Sequence, residues 1–573
     1  MPAGARLTAE GGDPNFCAME NITAPLTTGA PPSGVTIGRD RLGATLLLGV
    51  GGLLAVLSVY LYRAPTVQPA TAPATAFSAE RAFHHVEAIA QRPHPNRSSE
   101  IAAVRDYLLG ELQKLGLKPL VQRATVKRGG NRPDTAVENI LVRKSGTMSS
   151  RAVMLVAHYD TVSRSPGAAD DGAAVAALLE TLRALNAGPP LRNDLIVLIT
   201  DGEEPGMLGA RAFVAEHPWL RDVGVVCNFE ARGTRGPSIM FETSSDNGRL
   251  IREFARAAPY IIANSLSEFI YRRMPNNGDF TIFRRAGVAG LNFAFIDGVE
   301  HYHRASDTPA NLDQRSLQHH GELALRLARH FGDLTLPLPL AGDAVYFNVL
   351  GGWFVYYSKA LVLPAALLLA GFGGVILRMG HRRGLLRIRR VAGGLLVLLA
   401  GLVAGGLWAW LAYVLRDWLI RLGGGTAAPF IVTSVLSVLT MVVLHAMLRW
   451  RLRRLETLLA ALTGWTLLAL GAGVVLPEAS YLFFWPAVPG WLALALWLRR
   501  YPPRSDAQVS AAAFPRMLCL SASLGVVLVS PLVYLGWIAL PSAYPVLVLL
   551  CVLVLALALP CVEALVPVFG RRV

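Results

Sequence analysis

The chain has 573 residues, of which 53% are hydrophobic, and a formal charge of +15. That is too apolar and too long for one water-soluble domain; apolar runs of the roughly 20 residues a bilayer requires occur once near the N-terminus and repeatedly after residue 353. Much of the positive excess is Arg in short loops beside apolar runs, at 378–390 and 449–454, which is the bias of cytoplasmic membrane loops and argues against a nucleic-acid partner. The five Cys, three of them in apolar spans, indicate neither a disulfide framework nor a thiolate metal site.

Residues 1–40 lack periodicity and are rich in Gly, Pro, Thr and Ala, so a disordered cytoplasmic tail is expected. A transmembrane signal anchor follows at 41–63, with Arg39 and Arg41 placing its N-terminal side in the cytoplasm, and 64–77 reads as a linker. From 78 to 335 helical and strand-like patterns alternate, the mark of an α/β domain with a mostly parallel mixed sheet flanked by helices. Strands are expected at 153–157, 195–200, 223–229 and 291–296, and an amphipathic helix at 104–115. The remainder, 336–573, reads as an α-helical polytopic transmembrane region of about seven helices, near 354–377, 391–415, 430–448, 457–476, 479–498, 517–538 and 543–563. With the Arg-rich loops inside, both termini are cytoplasmic. The α/β domain then faces the periplasm in a bacterium or an organelle lumen in a eukaryote. A composition with Lys at five positions against a large Arg excess leans towards a GC-rich bacterial genome.

Polar, metal-binding residue types gather after each expected strand, where the loops of an open α/β sheet converge on a ligand. His158-Tyr159-Asp160 ends the first strand, with a carboxylate two residues from an imidazole and in reach of its second ring N–H. Asp170-Asp171 in GAADDGA sits on a turn before a helix-like run, where the ordinary alternative is a helix N-cap. Glu203-Glu204 follows the second strand; adjacent carboxylates repel unless a cation or proton is shared, so one suits metal binding and the other proton transfer. A solvated acidic turn is the plain alternative. Glu230 closes the third strand, with Arg232 offering a simple ion pair. After the fourth strand comes His301-Tyr302-His303, followed by Ser306-Asp307-Thr308, and spacing leaves His301 and His303 open. Imidazole and carboxylate donors without thiolate suit zinc or a similar divalent ion, and their convergence points to metal-assisted hydrolysis.

The set H-x-D, GAxDD, DGEE, NFE-A-R-G and Y-H-x3-D-T, in that order, resembles the di-zinc aminopeptidases of metallopeptidase family 28. The likeness also takes in the leading RPHPNRSSEIAAVRDYLLGELQKLG segment, and it implies a zinc exopeptidase-like fold. The pairing with a polytopic region is similar to the family's membrane-embedded subgroup, the endoplasmic reticulum metallopeptidase and the vacuolar membrane protease. By that resemblance two zinc ions are expected: His158 and Glu230 hold one, Glu204 and His303 the other, and Asp170 bridges them. Glu203 is then the general base, Asp160 orients His158, and Asp171 follows the bridging ligand at a peptide bond often cis in the family. Glu230 departs from the Asp that simpler secreted members often carry.

The resulting expectation is an integral-membrane zinc exopeptidase, an aminopeptidase acting on peptide substrates on the extracytoplasmic side. A glutaminyl cyclase-like or carboxypeptidase-like enzyme on the same fold is the alternative. The 275–280 segment and Arg232 are candidates for the substrate pocket. A degenerate scaffold or transporter is a third reading, against which the spans offer only Lys359, His445 and Glu478 as polar machinery. The membrane region reads as a bilayer anchor, a homo-oligomerisation surface or a delivery platform.

Overall fold

The computed structural model describes residues 49–128, 133–258, 260–424, 428–448, 454–500, 513–539 and 546–554. The expected tail at 1–40 and most of the Arg-rich loops at 449–454 and 499–516 lie outside them. An apolar helix α1 (Gly49–Tyr60) leads into the α/β domain, which begins with α2 (Ala79–Ile89) and α3 (Ser99–Lys114). Ser98 caps α3, its hydroxyl accepting the Ile101 N–H at 3.1 Å, so this helix starts a turn before the 104–115 run that periodicity marks.

The strands are β1 (Leu120–Val126), β2 (Thr135–Lys144), β3 (Ala152–His158), β4 (Leu195–Thr200), β5 (Val223–Ala231), β6 (Ile239–Thr243) and β7 (Gly290–Phe295). They form one mixed sheet in the order β1-β2-β4-β3-β5-β7-β6. The four expected strands are its parallel centre, β4-β3-β5-β7, and the flanking pairs β1–β2, β2–β4 and β6–β7 are antiparallel. Between them lie α4 (Ala174–Asn186), α5 (Leu208–Glu216), α6 (Gly248–Ala257), α7 (Ser265–Tyr271) and α8 (Asp279–Arg285), and α9 (Gln314–Asp333) follows β7.

Alternation along β3 explains the layers, because successive side chains leave opposite faces of a sheet. Val153, Leu155 and Ala157 join the core under α2, α4 and α9, while Ala152, Met154 and Val156 face Phe213, Phe280 and Phe283 of α5 and α8. Each of those buried rings contributes about 1.5–3 kcal/mol. Both faces being covered, the central strands are mostly apolar, with Asn228 of β5 and Asn292 of β7 hydrogen-bonded to each other, and all four parallel strands deliver their C-terminal ends to one edge.

Two stretches differ from the sequence reading. The 64–77 segment is strapped to the domain rather than free: Phe77 is buried in the core, Gln68 N–H donates to Gln318 Oε1 at 3.0 Å, and Arg81 donates to the carbonyls of Ala72 and Ala76. A β-hairpin, β8 (Ala344–Val349) with β9 (Trp353–Ser358), occupies the start of the span expected at 354–377, and the helix begins after it. The hairpin joins two cores, since Ala344 and Tyr346 pack into the α/β domain and Val345 and Phe347 into the helices beyond. Packing of the domain therefore continues past the expected boundary at 335.

Among the described residues four helices are long and apolar enough to cross a membrane: Lys359–Arg382, Ile388–Val414, Glu456–Val475 and Leu520–Ala539. On Ile388–Val414, Gly394, Gly401, Gly405, Ala409 and Ala412 are buried while Leu396, Leu399, Val403, Leu407 and Trp410 are exposed. Small residues where helices meet and large apolar ones outward is the pattern of packing within lipid.

Candidate metal centre

The strand ends bring the dispersed polar residues into one buried cluster. His158 is the last residue of β3, Asp170 lies on the 168–173 turn entering α4, Glu203 and Glu204 follow β4, Glu230 is the penultimate residue of β5, and His303 comes eight residues after β7. Two groups of potential ligand atoms result: His158, Asp170 and Glu230, and Asp170, Glu204 and His303, with the atoms of each group within 4.8 Å of one another.

Asp170 belongs to both because its two oxygens point in different directions. Oδ1 lies 3.2 Å from His158 Nε2 and Oδ2 lies 3.2 Å from His303 Nε2. Glu230 Oε2 is 3.6 Å from His158 Nε2, and Glu204 Oε2 is 3.1 Å from His303 Nε2. Glu203 contributes to neither group. His301 is outside both, its Nδ1 2.9 Å from the Ser306 hydroxyl, so the choice that spacing leaves open goes to His303 geometrically. His303 has φ +57°, a left-handed conformation unfavourable for a side-chain-bearing residue and typical of groups held by their surroundings at sites.

Several supports were only partly legible. Asp160 was expected to hold the His158 ring through its carboxylate, but Oδ1 is 3.6 Å from Nδ1, whereas the Asp160 main-chain carbonyl is at 3.0 Å. The carboxylate instead accepts the main-chain N–H groups of Glu203 at 2.9 Å and Glu204 at 3.2 Å, locking the turn that carries both acids. Asp171 Oδ2 accepts the His158 N–H at 3.1 Å, and the Asp170-Asp171 peptide bond is cis. Asn228 donates to Glu230 Oε1 at 3.1 Å, an orienting contact nothing in the sequence marks. The alternative ion pair between Glu230 and Arg232 does not form; Arg232 Nε is buried without a hydrogen-bond partner. Of the 275–280 segment, Gly278 lies against Glu230, and Asp279 is buried with one oxygen bonded to Thr200 and the other unpartnered.

The electrostatics are those of crowded acids. Burial, then the charge of Glu230, pushes the Glu203 carboxyl well above its ordinary value, and burial, then Asp170, lifts Glu204 to about 7. Asp279 is likewise raised to about 7 by burial and then by Glu230. Burial opposes charge on the imidazoles too, but Asp160, Asp170 and Glu230 outweigh it and hold His158 well above its usual range; Asp170 and Glu204 do the same for His303, at about 9. So many carboxyl groups around two imidazoles lack counter-charge, and Glu204 Oε1 is buried without a hydrogen-bond partner. An oxygen-rich, thiolate-free donor set of this kind fits divalent cations such as zinc, whose charge would return these acids to their ionised forms.

Residues 139–328 match the model of Peptidase family M28. A vacuolar membrane protease of Eremothecium gossypii is 30% identical over 319 residues, covering 52% of this chain and 31% of its own. Endoplasmic reticulum metallopeptidase 1 of Mus musculus is 27% identical over 332 residues, covering 52% of this chain and 36% of its own. The chain thus spans about a third of the length of these relatives. Among solved structures, an aminopeptidase from Aneurinibacillus sp. strain AM-1 aligns with TM-score 0.38 and 12% identity over 47% of this chain and 99% of that one. A glutaminyl cyclase of Porphyromonas gingivalis aligns with TM-score 0.38 and 19% identity over 44% and 98%.

Proposed function

With an M28 peptidase domain at residues 139–328 as the premise, we propose that the chain is an integral-membrane, zinc-dependent aminopeptidase acting on peptides outside the cytoplasm. The observation that carries this reading is Asp170, whose two oxygens each face a separate imidazole–carboxylate group. A single cation would leave one of those groups without counter-charge, so the arrangement favours two.

His158, Asp170 and Glu230 would hold one ion, and Asp170, Glu204 and His303 the other. When bound, the pair would polarise the scissile carbonyl and acidify water. Glu203, free of both groups and with a raised affinity for a proton, takes the proton from the attacking water and returns it to the leaving amine. Asp160 aims Glu203 and Glu204 through their main chain, and Asp171 fixes the main chain at His158. The apolar helices hold the domain at a bilayer, with the Arg-rich 378–390 loop cytoplasmic and the domain on the opposite side.

The test is metal content and aminoacyl-amide hydrolysis on the full chain in detergent, alongside Glu203→Gln. Two equivalents of zinc and loss of about 10²–10⁴-fold in kcat, the usual worth of a general base, are expected. One equivalent, with cyclisation of an N-terminal glutamine and no hydrolysis, would move the reading to a glutaminyl cyclase-like enzyme. Neither metal nor turnover in a folded chain would leave a scaffold.

A further inference from the structure

Beside the metal centre a cavity of about 510 Å³ is lined by Arg164, Tyr302, His303, Arg304 and Ala305. Part of its wall is His303, whose ring stacks on Tyr302 with centroids 3.8 Å apart and planes at 21°. Its flanks are two exposed guanidinium groups. Some Arg side chains of the domain find carboxylates, as Arg81 does with Glu180, Arg143 with Asp194 and Asp222, and Arg284 with Glu242. Arg164 and Arg304 pair with none among the described residues, and no acid lines this cavity. Arg164 is nonetheless anchored, because its Nε donates to the His303 carbonyl at 3.1 Å, which leaves its terminal nitrogens for another acceptor. Unneutralised guanidinium groups beside a site otherwise built of acids present a fork matched to a planar carboxylate.

We propose that this cavity is a carboxylate subsite, in which Arg164 and Arg304 receive either the free C-terminus of a short peptide or an acidic side chain on its leaving portion. The inference rests on the peptidase reading above and names its substrate class. An α-amine bound at the metal centre leaves the rest of the peptide to extend past His303 into the cavity, where a carboxylate meets opposite charge and an amidated or neutral end does not. Both carboxylate sources share one chemistry and differ only in chain length.

The experiment uses the full chain in detergent, loaded with zinc, and four peptides: Ala-Ala, Ala-Ala-NH2, Ala-Glu-NH2 and Ala-Gln-NH2. Wild type is expected to favour Ala-Ala over its amide, or Ala-Glu-NH2 over Ala-Gln-NH2, by at least about tenfold in kcat/KM. The pair that shows the preference identifies the carboxylate source. In Arg304→Gln and in Arg164→Gln that ratio should fall towards one, chiefly through KM, and in wild type it should shrink as salt is raised. Calorimetric Kd values for the same peptides on Glu203→Gln read the preference without turnover. Hydrolysis with no preference for either carboxylate, or a preference unchanged in both Arg variants, would overturn the subsite and leave the peptidase reading standing. Carboxylate-selective binding by a wild type that hydrolyses none of the four would do the reverse.

Discussion

The carboxylate of Asp307 accepts the main-chain N–H of Asp170 at 3.2 Å and that of Ala169 at 2.8 Å, so a residue from the far end of the domain holds the turn carrying the shared oxygen donors. Asp307→Ala leaves two buried N–H groups unpartnered, at roughly 1–3 kcal/mol of stability. Supports behind metal ligands are typically worth 10–100-fold in affinity. Chelator competition on the zinc-loaded chain should therefore show affinity weakened by about that factor, with Asp307→Asn recovering only part. Unchanged affinity would make Asp307 a purely structural cap.

Gly278 passes so close to Glu230 that an added Cβ would sit 3.1 Å from Oε1. Gly278→Ala must displace the carboxylate by a few tenths of an ångström, and Glu230 belongs to one metal group only. Metal analysis should find one of the two equivalents weakened, with the melting temperature of the apo chain little changed. Equal weakening of both ions would point to a wider distortion.

At the junction of the α/β domain and the helices, Lys359 Nζ donates to Glu478 Oε1 at 2.6 Å, and the Glu478 carbonyl accepts the Ser265 hydroxyl at 2.8 Å at the start of α7. Glu478 is 15% exposed and its other oxygen is buried without a partner. Lys359→Met strands that charge; between the exposed and buried extremes the loss is roughly 2 kcal/mol. Thermal unfolding in detergent should show it, and adding Glu478→Gln should restore most of it.

His319 and His320 on α9 are buried neutral, and burial lowers them to about 4 and about 3. His319 accepts the Ser238 N–H and donates to the Tyr260 carbonyl, while His320 lies edge-on between Phe229 and Phe295. A depressed folded value means the stability is complete above the unfolded value near 6.5 and is lost as pH falls towards 4. For His319 alone the total is on the order of 3 kcal/mol. Denaturant midpoints should drop across that window, and His320→Phe should flatten the profile. A midpoint constant from pH 7 to 4 would contradict the assignment.

The four parallel strands were visible in the sequence because both their faces are covered, so 195–200 and its companions are mostly apolar runs with polar clusters at their ends. Strands β1, β2 and β6 were not, since LVQRATV, TAVENILVRK and IMFET mix polar and apolar residues and are strands only through their neighbours. The identities of the donor residues were likewise local facts: imidazoles and carboxylates stand after strands whatever the fold does with them. Which oxygen of Asp170 faces which imidazole was not local, nor was the transfer of the Asp160 carboxylate from the His158 ring to the Glu203 and Glu204 main chain. Nor was the meeting of Arg164 with Arg304, or of Lys359 with Glu478, which lie far apart along the chain. Residue chemistry and periodicity are properties of short segments and can be read from them. Distances between segments are set only when the sheet order and the packing on its two faces bring the strand ends together.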